Sequence, residues 1–431
     1  MKKNLLSLIL VIINMNAILA QTVPSEKLIY IPNDLKSINL DDPSSKWSYK
    51  RMITTKNFAI FWEKGFGNDL SVAPALEGHN MTIDIKNLTD KLEEFYSFFR
   101  NNLKFTSNES NCDKYRMMVM INYSLEGTAY GGDYDGVIGA LWVAPNRIQD
   151  KKLNCIAHEL GHSFQSQIIC DGNGEAWGGC GFFEMASQWM LWQVNPEWIT
   201  DEKYHWDAFS KLTHKAYLHM DNIYHSPYIL EYWSERRGLN IIAELFRAGK
   251  KGEDPIVTYK TKMNMSQHDF CNEMFNASCH IITMDFNRVW NETRPYANKY
   301  SSKLEETSDG WLKIANDNIP EEYGFNAIRL SLPPDNRVTV EFTGDSKEKN
   351  AGWRYGFVTV TKDGNCIYGK VNENNEGIIT CNVDENAEYI WLVVMGAPKE
   401  HEIISSDKTV TQYPYRINIE GSNILKTISR L

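Results

Sequence analysis

Two histidines and one glutamate within the stretch Cys155–Val194 have the spacing of a metal centre. His158, Glu159 and His162 form the motif His-Glu-x-x-His. Residues four apart share one face of a helix, so both imidazoles can bind the same metal ion. Glu159 then lies beside the metal, where it can accept a proton from a bound water. The motif predicts a hydrolytic metal centre.

The residues between and after the histidines predict the helix that would hold them. Ile156, Leu160 and Phe164 form an apolar stripe at helical spacing, which is typical of a buried helix. The alternative is an amphipathic core helix whose two histidines are solvated or hydrogen-bonded. The motif and the apolar stripe together favour a metal site.

A catalytic zinc ion needs a third protein ligand and one open position for water. Glu184 begins a second helical pattern after a glycine-rich turn, and a helix packed on the first would direct it toward His158 and His162. Glu175 is the rival, in a predicted loop, and Asp171 falls at the predicted end of the first helix. We expect Zn²⁺ on the two histidines and Glu184, with Glu159 as the catalytic base.

This arrangement resembles the gluzincin branch of zinc metallopeptidases, in which a glutamate on a second helix follows the motif. The spacing from His162 to Glu184 is similar to that of enhancin-like peptidases, some of which cleave mucin-type glycoproteins. The match covers the motif and three neighbours, Gly161, Gln165 and Trp189.

A second resemblance covers most of the chain. It is similar to secreted His-Glu-x-x-His proteins that carry a C-terminal β-domain, with an early strand like Phe58–Trp62 and a late one like Trp391–Val394. Neither resemblance specifies the substrate.

The zincin resemblance implies how a substrate would be held. In that fold the last strand before the metal helix is a sheet edge facing the cleft, which places the edge at Gly139–Val143; a central strand is the alternative. An extended peptide can pair with such an edge. A gluzincin also places a tyrosine or histidine over the oxyanion. The sequence does not separate four candidates, Tyr217, His219, Tyr224 and His225.

The elements before the motif alternate between strands and a helix. A helix with one apolar face is predicted over Ile85–Leu103, and a turn is predicted at Gly131 and Gly132. Strands are predicted over Phe58–Trp62, Tyr115–Tyr123 and Val137–Val143.

The remainder of the chain changes character near residue 300. Helical patterns are predicted over Ile229–Arg247, broken at Gly238, and over Asp269–Asn287. The polar segment Ser301–Glu322 is predicted to be a boundary. Short runs typical of strands follow it, over Ala327–Leu332, Val338–Phe342, Tyr355–Val360, Ile367–Val371, Gly377–Cys381, Tyr389–Met395 and Tyr415–Ile419.

Together these patterns predict an α+β chain in which a zincin-like catalytic domain, with a mixed sheet and a helical lower lobe, precedes an antiparallel β-sandwich. We expect a signal peptide over 1–20, an extended lead-in over 21–50, the zincin-like domain over 51–300, a linker over 301–324 and the sandwich over 325–431.

The N-terminus and the composition predict an exported protein. A positive start, an apolar run and small residues before Gln21 are typical of a cleaved signal peptide, and no later stretch is apolar enough to span a membrane. The net charge of −10 argues against a nucleic-acid partner. Eight cysteines permit disulfides, and the candidate pairs are Cys170–Cys180, Cys271–Cys279 and Cys366–Cys381.

The predicted function is a secreted zinc-dependent endopeptidase that hydrolyses extracellular proteins or glycoproteins, with glycan contact through the C-terminal domain. One alternative is a secreted glycan- or surface-binding protein with a structural or degenerate zincin core. Another is a zinc hydrolase that acts on a non-peptide amide, since water activated by a metal suits several acyl substrates.

Overall fold

The structure is a computed structural model that describes residues 26–178, 182–404 and 410–425. Its first sheet contains β1 (Met52–Thr54), β2 (Phe58–Trp62), β3 (Met117–Ile121), β4 (Ala129–Tyr134) and β5 (Ile138–Val143). The strand order is β1-β2-β3-β5-β4. Strands β2, β3 and β5 are parallel, whereas β1 and β4 pair antiparallel at the two edges. The three strands predicted in this region are confirmed.

Strand β4 forms the edge of this sheet beside the metal motif, so the expectation that Gly139–Val143 is the edge is wrong. Those residues lie in β5, between β3 and β4. The predicted turn at Gly131 and Gly132 is also wrong, because both glycines lie inside β4. A Cβ atom at Gly131 would lie 1.9 Å from the carbonyl oxygen of Glu159. The glycine therefore permits close approach of strand and helix rather than a turn.

Helices precede, cover and follow this sheet. They are α1 (Asn33–Lys36), α2 (Ile85–Asn101), α3 (Asn111–Lys114), α4 (Asn154–Cys170), α5 (Phe182–Val194), α6 (Trp198–Asp201), α7 (Lys203–Leu212), α8 (Tyr228–Arg237), α9 (Ile241–Ala248), α10 (Pro255–Met263), α11 (Gln267–Thr283) and α12 (Trp290–Thr293). The predicted break at Gly238 is confirmed: α8 ends there, and the glycine has a φ of 97°. The metal motif lies on α4, which packs against β4, β5 and α5.

The remaining strands form two antiparallel sheets. One has the order β11-β10-β13-β8 and the other the order β12-β9-β14-β7-β6. These strands are β6 (Leu304–Glu306), β7 (Leu312–Ile314), β8 (Phe325–Leu330), β9 (Arg337–Gly344), β10 (Trp353–Thr361), β11 (Cys366–Tyr368), β12 (Glu376–Asn382), β13 (Ala387–Gly396) and β14 (Tyr415–Glu420). All seven strands predicted after residue 325 are confirmed. The segment predicted as a linker contains the β6–β7 hairpin, which extends the second sheet.

The two sheets enclose a core, which confirms the predicted α+β class with a C-terminal sandwich. Along β13, Ile390, Leu392 and Val394 belong to the core between the sheets. The alternate residues Trp391 and Val393 belong to the core shared with the helices. A strand that is buried on both faces needs apolar residues throughout, which accounts for the unbroken apolar run in this part of the sequence.

The proposed disulfides do not form among the described residues, where Cys271, Cys279, Cys366 and Cys381 are free thiols. Cys271 and Cys279 lie on one helix, about 12 Å apart along its axis, which is too far for a disulfide. Cys366 lies on β11 and Cys381 on β12, which belong to different sheets. The third pairing involves Cys180, which lies outside the described residues.

None of the helices within the described ranges is long and apolar enough to cross a membrane. The expected signal peptide over 1–20 lies outside those ranges.

Candidate metal centre

Helix α4 brings the two histidines of the motif together. His158 and His162 are one turn apart on the same face, and their Nε2 atoms are 3.1 Å apart. The helix is buried along most of its length, so both side chains are only 13% exposed. The predicted apolar stripe is confirmed, since Ile156, Leu160 and Phe164 are buried.

Glu184, in the first turn of α5, completes a compact trio with these histidines. Its Oε2 lies 3.1 Å from Nε2 of His158 and 3.1 Å from Nε2 of His162. Ligand atoms about 2.0–2.1 Å from a tetrahedral zinc ion lie about 3.3 Å from one another. A triangle with sides of 3.1 Å therefore has the size that one metal ion requires, and the trio is compatible with a bound metal.

The neighbouring glutamine side chains fix the tautomers of both imidazoles. Oε1 of Gln188 lies 3.1 Å from Nδ1 of His158, and Oε1 of Gln165 lies 3.0 Å from Nδ1 of His162. An amide oxygen only accepts, so each Nδ1 carries a proton, and in the neutral form of each imidazole the lone pair lies on Nε2. Both lone pairs are then available at the position where a metal would bind.

Gln165 also connects the two helices, because its Nε2 donates to the carbonyl oxygen of Phe183 at 3.0 Å. Phe183 precedes Glu184, so one side chain orients a histidine and anchors the turn that carries the carboxylate. From the sequence, Gln165 is recognisable only as part of the matched neighbourhood, and Gln188 is not predicted as a site residue. The available signal was their spacing, three residues after His162 and four residues after Glu184.

Electrostatics favour a cation at this point. Burial opposes ionisation of Glu184, yet hydrogen bonds with His158 and His162 hold the pKa of its carboxyl far below the ordinary value. Burial likewise opposes charging of His162, but Glu184 raises the pKa of that imidazole above the ordinary value. The site thus stabilises one positive charge among its three ligand atoms. A metal ion would replace a proton at this position.

Glu159 follows His158 on α4, and its residue is 9% exposed. Its backbone carbonyl faces Gly131 of the edge strand. Burial raises the pKa of the nearby Cys155 thiol to about 12, and the negative charge of Glu159 contributes to that shift. The same charge contributes to the raised pKa of Tyr224, so the carboxylate lies within electrostatic range of both Cys155 and this tyrosine.

Of the four oxyanion candidates, the structure brings Tyr224 to the trio. Its ring is stacked 6.3 Å from the imidazole of His158. Burial, the charge of Glu184 and a hydrogen bond to that carboxylate raise the pKa of Tyr224 to about 12. The phenol therefore stays protonated near neutral pH and can donate a hydrogen bond.

The other three candidates contact different partners. Tyr217 packs its ring against Trp233, and His219 lies 3.7 Å from a carboxylate oxygen of Asp221. Nδ1 of His225 lies 2.7 Å from Nδ1 of another histidine, His205.

The rival carboxylates lie elsewhere. Oε2 of Glu175 accepts from the backbone N–H of Lys251 at 2.9 Å. Oδ1 of Asp171 accepts from the backbone of Asn111 and the side chain of Gln167 at the end of α4. Neither carboxylate belongs to the trio formed with the histidines.

Comparisons with known proteins give a family but no assigned activity. The model of a family of unknown function, DUF6055, matches residues 21–426. No curated protein matches the sequence. Among solved structures, the ZmpB metallopeptidase from Clostridium perfringens aligns with a TM-score of 0.32 and 14% identity, over 86% of this chain and 69% of that chain. The geometry of the site is therefore the basis for a functional proposal.

Proposed function

We propose that this chain, which belongs to the family of unknown function DUF6055, is an exported zinc-dependent endopeptidase that acts on proteins or glycoproteins. The observation that carries the proposal is the triangle of His158, His162 and Glu184, with sides of 3.1 Å and both Nε2 lone pairs available. Two histidines and one glutamate are a donor set of catalytic zinc, which leaves a fourth position open. The sequence of residues 1–20 supports export.

The chain supplies the proton transfers of such a hydrolysis. Zinc, when bound, would acidify a water and polarise the scissile carbonyl. Glu159 accepts the proton of the attacking water and delivers it to the leaving amine. Tyr224 donates its O–H to the oxyanion that develops on the carbonyl, which its unionised phenol allows.

Strand β4 supports a peptide as the substrate, because it is the edge strand of the sheet and packs against the helix of the motif. The backbone N–H of Ala144 donates to the carbonyl of Thr128 at 2.8 Å, which makes these two residues a hydrogen-bonded pair. In an antiparallel ladder such pairs alternate, so residues 130, 132 and 134 face β5, while Ala129, Gly131 and Asp133 face outward.

The N–H and C=O of Gly131 thus point away from β5, and one face of this glycine lies against the backbone carbonyl of Glu159. An extended peptide can add to this edge as a further strand and place its scissile bond near the trio. The C-terminal sandwich, over the proposed range 325–431, would contribute contact with glycans or other surfaces of the substrate.

The test compares three purified variants with the parent protein. Glu159→Gln should retain zinc and lose peptide hydrolysis, whereas His158→Ala should lose zinc. Glu175→Gln is the matched control and should retain both. Zinc per chain is measured by mass spectrometry of the metal, and cleavage is measured on a peptide library. Cleavage by Glu159→Gln at the parent rate would contradict the mechanism, and hydrolysis of non-peptide amides alone would redefine the substrate.

A further inference from the structure

A chain of hydrogen bonds runs from His158 into the helical part of the protein. Nδ1 of His158 contacts Oε1 of Gln188 at 3.1 Å, and Nε2 of Gln188 contacts Nε2 of His205 at 3.0 Å. Nδ1 of His205 then contacts Nδ1 of His225 at 2.7 Å. His205 is 6% exposed and lies against the rings of Trp198 and Tyr204, which fix the plane of its imidazole.

The chemistry of these groups determines every proton along the chain. His158 must keep the Nε2 lone pair for a metal, so its Nδ1 donates to the oxygen of Gln188. The amide nitrogen of Gln188 then points at His205, whose Nε2 must accept. The proton of His205 therefore lies on Nδ1 and is donated to Nδ1 of His225. Metal binding at one end thus selects the tautomers of two histidines at the other end.

The same amide also holds the segment that carries Tyr224. The second N–H of Gln188 donates to the backbone carbonyl of Tyr224 at 3.2 Å. Tyr224 precedes His225, so this segment is attached to Gln188 directly and through His205. The observed amide orientation satisfies His158, His205 and Tyr224 together. A flipped amide would place its oxygen against the Tyr224 carbonyl and its nitrogen against the Nδ1–H of a metal-bound His158.

On the premise that the site hydrolyses peptides as proposed above, we propose that Gln188, His205 and His225 form a positioning relay. The relay holds His158 and Tyr224 in register, and uptake of a proton by His225 disengages it. None of the three residues touches the reacting atoms; they act through His158 and Tyr224.

The effect of an added proton follows from the groups that face the pair. Oε2 of Glu202 lies 3.3 Å from Nε2 of His205, and the ring of Tyr204 lies 4.2 Å from the imidazole. With a proton on its Nδ1, His225 would donate to Nδ1 of His205. The proton of His205 would then lie on Nε2, facing Glu202, and this nitrogen would no longer accept from Gln188. The amide of Gln188 would then face a donor, which favours its flip and the loss of its bond with His158.

The direction of the pKa shift of His225 places its protonation on the acid side of neutrality. Burial, and then the neighbouring His205, hold the pKa of His225 below the ordinary histidine value. His225 is therefore neutral at neutral pH, and its protonation requires a pH below about 6.5. In the parent enzyme the acid loss of activity should include a component from this histidine.

The experiment replaces His205 by two residues of different hydrogen-bonding capacity in the full-length zinc-loaded protein. His205→Gln keeps an acceptor for Gln188 but has no second tautomer, whereas His205→Phe keeps bulk and removes the acceptor. His214→Gln, at another buried histidine outside the relay, is the matched control. Zinc affinity is measured by competition with a chelator, and kcat and KM are measured from pH 5 to pH 8.

At neutral pH we expect His205→Phe to lower kcat and zinc affinity about ten-fold each with KM unchanged, and His205→Gln to stay within about two-fold of the parent. The acid limb of kcat should move to lower pH in His205→Gln alone. Equal behaviour of the two variants, or an effect of His214→Gln as large as that of His205→Phe, would overturn the relay. If no form cleaves peptides, the proposed function fails, while the zinc affinities still decide on the relay.

Discussion

Gly161 of helix α4 lies directly against Ser187 of helix α5. A Cβ atom at Gly161 would be 2.4 Å from Oγ of Ser187 and 3.4 Å from its Cα. The Ser187 hydroxyl also donates to the carbonyl oxygen of His158. The glycine between the two histidines therefore sets the distance between the helices, and this distance brings Glu184 to the histidines.

Gly161→Ala should separate the two helices and weaken the site. We expect a loss of about 1–3 kcal/mol in the free energy of unfolding, together with reduced zinc binding, because the added methyl group overpacks the crossing. Urea denaturation and zinc content measure the two effects. Ser187→Ala removes the closest atom, so the double variant should recover part of both losses. Equal stability of Gly161→Ala and the parent would contradict the proposed role of this contact.

Gln165→Ala should weaken metal binding without unfolding the protein. The substitution removes the acceptor for Nδ1 of His162 and the bond to the carbonyl of Phe183. Loss of such a supporting group typically lowers metal affinity by about 10–100-fold. Chelator competition measures the affinity, and Gln165→Glu, which keeps the acceptor but loses the bond to Phe183, should retain part of it. Gln149→Ala, at an exposed glutamine, is the control, and an equal loss there would refute the assignment.

Tyr224→Phe should slow catalysis while the metal stays bound. Removing a donor to a developing oxyanion costs about 100–1,000-fold in kcat. Zinc content and KM should change little, because the ring still stacks on His158. Tyr130→Phe, at a tyrosine that is 61% exposed on the edge strand, controls for the loss of a tyrosine hydroxyl at another position. A kcat within about two-fold of the parent would exclude Tyr224 from this role.

Local patterns were sufficient for much of the fold and for the residues of the trio. The four-residue spacing of His158 and His162 requires only helical periodicity, and Glu184 stood out as a carboxylate at the start of a second helical pattern. The strands after residue 325 were predictable because each combines apolar residues with flanking turn residues. These signals depend on neighbours in sequence.

Contacts between distant segments were not predictable in this way. Gly131 was interpreted as a turn residue. In the fold it must lack a side chain because the backbone of Glu159, 28 positions later, lies against it. The edge position of β4 follows from strand order, which periodicity does not specify. Gln188 contacts His158, His205 and Tyr224 from three separate segments, so its importance appears only in the folded chain.

Asp254→Asn should weaken the attachment of the sandwich to the helical part. Oδ2 of Asp254 lies 2.7 Å from Nε2 of His401 and accepts from the backbone of Ile404 at 3.0 Å, and an amide nitrogen there could not accept. Burial opposes ionisation of Asp254, but the bond with His401 holds its pKa below the ordinary value. Its carboxylate thus stabilises the fold above about pH 3.9, and this contribution is lost as the pH falls through the lowered pKa.

Urea denaturation at pH 7 should show a loss of about 2–3 kcal/mol, which shrinks below about pH 4. Asp269→Asn, at an exposed aspartate beside His268, should lower stability far less than Asp254→Asn; equal losses in the two variants would contradict the role of Asp254.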